Sequence, residues 1–374
     1  MNVMSDWRDT AKNIDFPLMV TVIVIAIGGV FAIHSALHGQ AAANGDARKQ
    51  AVGIIFGIAA MVGLAAADYS QLLRRHSRWL YWFNIFLLTV VLIHGHSSRG
   101  AQRWISLGPI QVQPSELCKI ILIVSLALFI TQRREEIREW RTVGTSILFI
   151  AIPLLLIFKQ PDLGTALVIG TMWFGMMFVG GAKWQHLAIL FCAAGLIFAG
   201  MWHSHILKDY QKQRLIVFLN PNADPRDTGY HLHQSQIAIG SGELTGEGYQ
   251  KGMQTNGHFI PEQHTDFIFT IVGEEGGFVG AIFLLALYLL VLERSLALLI
   301  HTEDYLGRLI IAGVVSMLAF HIIVNIGMTI GVMPVTGVPL PFFSYGLSSL
   351  LVDMASIGLV LSVAARKHRI LFGT

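Results

Sequence analysis

Ten apolar runs, none shorter than 14 residues, recur along this chain, and that recurrence narrows it to one kind of fold. About 20 apolar residues are what a helix needs to cross the hydrocarbon core of a bilayer. The helices are expected at Phe16–Ala36, Ala51–Ala67, Trp79–His94, Ser115–Ile130, Thr145–Phe158, Leu163–Gly181, His186–Ser204, Phe267–Leu292, Leu309–Val332 and Leu347–Ala365. The fifth is short and depends on where Pro153 bends it. Hydrophobic residues fill 54% of the 374 positions and charged residues 13%, whereas a soluble domain carries about 25% charged residues. The fold class is therefore an all-α polytopic membrane protein of about ten transmembrane helices, with residues 1–374 forming one membrane domain. The first run exceeds the roughly 7–15 residues of a signal-peptide core and reads as a retained helix. Cys118 and Cys192 both fall in apolar runs and read as buried structural thiols, not as a disulfide framework.

Ten spans put both termini on one side, and the loops decide which. Fifteen Lys and Arg lie in alternate loops: Arg8, Lys12, Arg74, Arg75, Arg78, Arg133, Arg134, Arg138, Arg141, Lys183, Arg294, Arg308, Arg366, Lys367 and Arg369. The opposite short loops hold five, Arg48, Lys49, Arg99, Arg103 and Lys159. The positive-inside rule then places both termini in the cytoplasm. One outer loop, residues 206–265, is long. Its mixed polar and apolar stretches from Tyr210 and over Tyr230–Ile239 read as short surface helices, separated by the breakers Asn220-Pro221 and Asp224-Pro225.

The charged groups inside or beside these spans are few. From Pro261 to Asp266 a polar lead-in reads as running without a break into the eighth span, which then carries Glu274 and Glu275. At about 1.5 Å per residue the glutamates lie roughly 12–14 Å beyond Asp266. Carboxylates at membrane depth are costly and usually functional. Yet Thr265-Asp266 is also a good helix cap, and buried glutamates often serve packing. Glu116 and Lys119, three residues apart, share a helix face at the outer end of the fourth span. Either they form a buried ion pair that fixes packing, or they line a polar cavity in which Lys119 meets an anion. Asp162 sits at an outer helix mouth, where a cap is the simpler role. Arg214, with Lys208 and Lys212 nearby, suits a phosphate through its planar fork, or else a lipid headgroup. Pro334, Pro339 and Pro341, with Gly337 and Gly346, forbid a helix over Met333–Ser349. Such backbone is tolerated at membrane depth where it lines a cavity, and Asn325 and Asp353 are expected in the same wall. Arg103, Lys119, Asp162, Arg214 and Asp266 all fall on the outer side, which suggests a pyrophosphate-bearing, lipid-linked substrate. No HExxH, P-loop or dinucleotide-binding spacing is present, and the histidines form no cluster.

The motifs, in this order on ten spans, resemble the SEDS family (shape, elongation, division and sporulation) of bacterial cell-wall glycosyltransferases, and within it the elongation branch. They are GAQRWISLG at Gly100–Gly108, QPSELCKI at Gln113–Ile120, QPDLGTAL at Gln160–Leu167, DYQKQR at Asp209–Arg214, GYHLHQSQIAIGSG at Gly229–Gly242, PEQHTDFIF at Pro261–Phe269 and GVPLPFFSYG at Gly337–Gly346. Three positions depart from the pattern: Glu243 where glycine is common, Asn220 for a frequent aspartate, and Leu347 for a common glycine.

The resemblance implies polymerisation of lipid II into β-1,4-linked glycan at the outer face of the bacterial cytoplasmic membrane. The family's essential aspartate maps to Asp266, and its PSExxK pair to Glu116 and Lys119. It also implies a class B penicillin-binding protein, a transpeptidase whose transmembrane helix packs near the eighth and ninth spans, and other membrane proteins of the elongation complex. No nucleic acid and no organic cofactor are expected. Asp266 is then the expected general base. Arg103, Lys119 and Arg214 are candidates for the pyrophosphate, with a divalent cation, Mg or Mn, compatible with the chemistry. Glu116, Asp162, Glu274 and Glu275 are supporting residues. A lipid II flippase, or a scaffold for the transpeptidase without chemistry of its own, are the alternatives.

Overall fold

A computed structural model describes residues 14–39, 43–98, 101–107, 110–204, 207–220, 224 and 228–366. Arg8, Lys12, Arg99, Lys367, Arg369, Pro221 and Pro225 lie outside the described residues. The described chain forms thirteen helices and three short strands. The helices are α1 (Phe16–Ala36), α2 (Ala43–Ala66), α3 (Tyr69–His94), α4 (Pro114–Gln132), α5 (Trp140–Lys159), α6 (Leu163–Val179), α7 (Trp184–His203), α8 (Asp209–Leu219), α9 (Thr228–Ser241), α10 (Met253–Asn256), α11 (Phe269–His301), α12 (Tyr305–Thr329) and α13 (Leu347–Ala365). Eight of them are long and apolar enough to cross a membrane, and Trp79–Ile93 within α3 and α6 are shorter apolar helices. Each of the ten expected spans thus falls on a helix. Pro153 sits inside α5, and the helix continues on both sides of it.

α4, α12 and α13 are the most buried helices and form the centre. α7 is the least buried and packs mainly on α6. Cys118 is buried, but Cys192, on α7, is exposed, so the buried reading fails for the second thiol. That follows from α7 presenting most of its circumference outward.

Two features correct the sequence reading. The first is a small antiparallel sheet between α3 and α4, in an otherwise helical chain: β1 (His96–Ser98), β2 (Ala101–Leu107) and β3 (Ile110–Val112), in the order β1-β2-β3. β2 pairs with β3 through Ile105↔Val112, Ser106↔Gln111 and Leu107↔Ile110. It carries Arg103 and Trp104 over the outer ends of α4 and α6.

The second is that the lead-in does not run unbroken into a helix. Residues 261–268 are turns, and α11 begins only at Phe269, with Ile268 at its cap. Asp266 is therefore not the cap. α11 itself breaks at Gly277 (φ 61°, ψ −160°). The cause is a close crossing with the glycine-rich segment after α9. A Cβ at Gly277 would sit 2.3 Å from Gly246 N, and one at Gly242 would sit 1.9 Å from Gly273 O. Across the break, Phe278 N donates to Glu243 O at 2.9 Å and Glu247 N donates to Glu274 O at 2.9 Å. Glu243 itself holds φ 45°, the left-handed region that glycine enters freely, which explains why glycine is the common residue there.

Candidate functional site

A cavity of about 900 Å³ opens where the sheet, α4, α6, α8, the 261–268 turn, α12 and the proline-rich loop meet. Its wall includes Arg103 from β2, Glu116 from α4, Asp162 and Thr165 at the start of α6, Lys208 and Arg214 at α8, and Glu262, His264 and Asp266 from the turn. The proline-rich loop adds Thr336 to Pro339, Tyr345 and Gly346, and α13, which starts at Leu347 inside the stretch expected to exclude a helix, adds Leu347 to Ser349.

Asp266 reaches the cavity because its turn is laid against the proline-rich loop. Tyr345 N donates to His264 O at 3.0 Å, and Ser344 Oγ donates to Thr265 O at 2.6 Å. Arg214 is only partly buried, and its Nη1 donates to Thr336 O at 3.0 Å. Gly337, at φ 75°, passes between the two: a Cβ there would lie 3.2 Å from Asp266 Oδ2 and 3.6 Å from Arg214 Nη1. Base and cation thus flank the same backbone position.

Asp162 takes the capping role. It accepts from Thr165 N at 3.2 Å and from Thr165 Oγ1 at 3.0 Å, while still facing the cavity. Arg103 is committed largely to architecture. Its Nε donates to Gln160 O at 3.1 Å and its Nη2 to Pro161 O, and its Nη1 lies 3.8 Å from Asp162 Oδ1. Those contacts pin β2 to the turn between α5 and α6. A guanidinium held this way has little of its fork left for a ligand.

Lys119 does not line the cavity. It is 1% exposed and lies beneath the floor, where Nζ stands 2.8 Å from Glu116 Oε2 and 3.1 Å from His321 Nε2. His321 Nδ1 lies 2.8 Å from Met317 O. A carbonyl only accepts, so Nδ1 carries the proton and Nε2 accepts from Lys119. Glu116 and His321, not the lysine, meet the cavity. Removing one member of a buried pair strands the other charge. We expect Lys119→Met to cost about 3–5 kcal/mol of stability and Lys119→Met with Glu116→Leu to recover most of it, read as thermal unfolding in detergent. Equal stability of the single and double variants would show that the pair is not coupled.

Asn325 and Asp353 are buried, 0% and 3% exposed, and stand behind the wall, not in it. Glu274 and Glu275 are also away from the cavity. Glu274 accepts from Gln254 N at 2.6 Å, Thr255 N at 3.1 Å and Thr255 Oγ1 at 2.6 Å. Glu275 accepts from Ser35 Oγ at 2.5 Å. Both bind loop or neighbouring helix, so packing is their evident role. Glu262 and His264 from the polar lead-in and Tyr345 from the GVPLPFFSYG motif line the cavity too, whereas His321 and Lys49, the latter paired with Asp46 at 2.9 Å, carried no signal of a site in the sequence. His321 belongs to no local pattern, and only the fold brings it to the site.

The family model for the FtsW/RodA/SpoVE cell cycle proteins matches residues 16–369. Peptidoglycan glycosyltransferase MrdB of Escherichia coli K12 is 40% identical over 76% of this chain and 76% of its own length. Peptidoglycan glycosyltransferase RodA of Treponema pallidum is 32% identical, over 95% of this chain and 98% of its own. A chain from a solved peptidoglycan synthase complex that coordinates polymerization and crosslinking is 34% identical, covers 95% of this chain and 99% of its own, and superposes with a TM-score of 0.80. With the family model matching it along nearly its whole length, this chain belongs to the FtsW/RodA/SpoVE family of cell cycle proteins.

Proposed function

We infer that this multi-pass membrane protein is a peptidoglycan glycosyltransferase that polymerises lipid II into β-1,4-linked glycan strands for elongation of the cell. The observation that carries this reading is the meeting, in one large cavity, of the Asp266 carboxylate with Arg214 and Lys208. The names of the relatives support the same reaction class. The charge bias of the loops supports a cavity facing the periplasm.

The acceptor is a sugar hydroxyl, a weak nucleophile at neutral pH. Asp266 accepts its proton as the oxygen attacks the anomeric carbon of the donor. The bond from that carbon to the lipid pyrophosphate breaks, and the electron pair leaves with the pyrophosphate. Arg214 and Lys208 lie where they would neutralise that leaving group. One direct displacement inverts the carbon, which turns an α-linked donor into a β-linked polymer.

Among the described residues no group of three or more His, Cys, Asp or Glu is placed to hold a metal by itself. Mg or Mn would instead be held by Asp266 together with the substrate, since Mg is usually held by one or two carboxylates plus substrate phosphates. A bound ion of this kind supplies charge neutralisation at the pyrophosphate.

The solved complex of polymerisation and crosslinking supports a penicillin-binding protein as partner. The partner's transmembrane helix is proposed to pack near α11 and α12. The test is lipid II polymerisation by purified protein, alone and with a class B partner, with and without divalent cation. Glycan strands that disappear in Asp266→Ala support the enzyme. No strands from wild type with the partner bound, but lipid II translocation in vesicles, would support the flippase instead.

A further inference from the structure

The turn that carries Asp266 and the loop that carries Thr336, Gly337 and Val338 come from distant parts of the sequence. Both must be held in register for the base and Arg214 to face one substrate. One side chain touches both. Asn325, on α12, is fully buried. Its Nδ2 donates to Asp266 O at 2.8 Å and to Val338 O at 2.8 Å. Both amide hydrogens are therefore used. Its Oδ1 has no partner among the described residues. A buried acceptor left unpaired is unfavourable, so the amide is retained for its two donors.

The two carbonyls it joins belong to the chemistry. One is Asp266 itself. The other adjoins Gly337, and the next residue back, Thr336, accepts from Arg214 at 3.0 Å. A single rigid amide, fixed in the most buried helix of the protein, thus spans base and cation. We propose that Asn325 is a positioning residue that sets the separation between Asp266 and Arg214 by tying their two backbone segments together. Ser344 is the companion tie: its Oγ donates to Thr265 O and accepts from Leu340 N at 2.9 Å. The inference rests on the glycosyltransferase reading of this same cavity. The acceptor hydroxyl and the pyrophosphate sit on opposite sides of the reacting carbon, so a shift of about 1 Å between their partners costs on the order of 10²-fold in rate. Binding of lipid II along the rest of the cavity is left in place.

The test is steady-state lipid II polymerisation by the purified protein with its transpeptidase partner. Asn325→Leu keeps the branched shape of the side chain, at a larger volume, and removes both donors, and Asn325→Ala removes side chain and donors. Both are expected to lower kcat by about 100-fold with KM for lipid II within about threefold. Ser235→Ala serves as the structural control, because Ser235 makes an equally buried bond to the same helix, to Thr329 O at 2.7 Å, away from the cavity. It is expected to lower thermal stability and leave kcat unchanged. A folded Asn325→Leu protein with wild-type kcat overturns the proposal, as does a fall in kcat that matches its loss of folded protein. Should neither Asn325 variant fold, Ser344→Ala carries the test: a lower kcat at unchanged KM supports the tie, and a wild-type kcat refutes it. If Asp266→Asn also retains full activity, the glycosyltransferase assignment of the cavity fails. If Asp266→Asn is inactive while Asn325→Leu is not, only the positioning role fails.

Discussion

Replacing Asp266 with asparagine is expected to lower glycan polymerisation by about 10²–10⁴-fold, the usual contribution of a general base. The amide keeps the size of the carboxylate and leaves the backbone carbonyl of residue 266 available to Asn325, so the turn stays in place. What is lost is the proton acceptor. The fall should therefore be in kcat, with KM for lipid II little changed. Asp162→Asn is the informative contrast. Asp162 faces the same cavity but spends its oxygens on Thr165 N and Oγ1. Asparagine also caps helices well, so that variant should keep most of its activity and stability. Activity lost equally from both variants would mean that the two carboxylates act together, and would remove the ground for assigning Asp266 alone as the base. The measurement is single-turnover polymer formation, beside thermal unfolding of each variant.

The unequal fates of these residues show what a linear sequence carries. The ten spans were legible because an apolar run of that length has few other fates in water or lipid. The cap role of Asp162 was legible because its partner, Thr165, is three residues away. The Glu116–Lys119 pair was legible for the same reason. That His321 would complete it was not, since it lies 202 positions further on. Nor was it visible that the lysine would be under the cavity floor. The break at Gly277 escaped because the run Gly273 to Gly280 is apolar apart from its two glutamates and reads as one helix. What breaks it is the backbone of Gly242–Gly246; the one local sign of a break is the Gly276-Gly277 pair. The sheet escaped because β1 and β3 have three residues each and β2, AQRWISL, places Gln102-Arg103 and Trp104-Ile105 side by side instead of alternating.

Glu274 carries the second large effect, and here the expected loss is in stability. Its carboxylate accepts three hydrogen bonds, two from backbone N–H groups at the start of α10 and one from Thr255 Oγ1, and it is fully buried. Bonds to a charged acceptor contribute about 1.5–3 kcal/mol each, and donors left unpaired in a buried site add a penalty of their own. Three bonds sharing one group are not additive, so we expect Glu274→Ala to cost about 3 kcal/mol or more, visible as a clear fall in Tm in detergent. Glu274→Gln should fall between, because its remaining oxygen accepts while its NH2 faces donors. The damage should also spread towards the cavity. Thr255 Oγ1 accepts from Gln263 Nε2 at 2.9 Å, and that same amide reaches Thr270 Oγ1 at 3.2 Å. Gln263 lies three residues before Asp266, so the turn that carries the base loses one of its outer supports. Activity in Glu274→Ala should therefore decline with the folded fraction as temperature rises, and approach the wild-type value well below the transition. A variant that kept its Tm and lost its activity would contradict this account, and would move Glu274 from the scaffold into the chemistry.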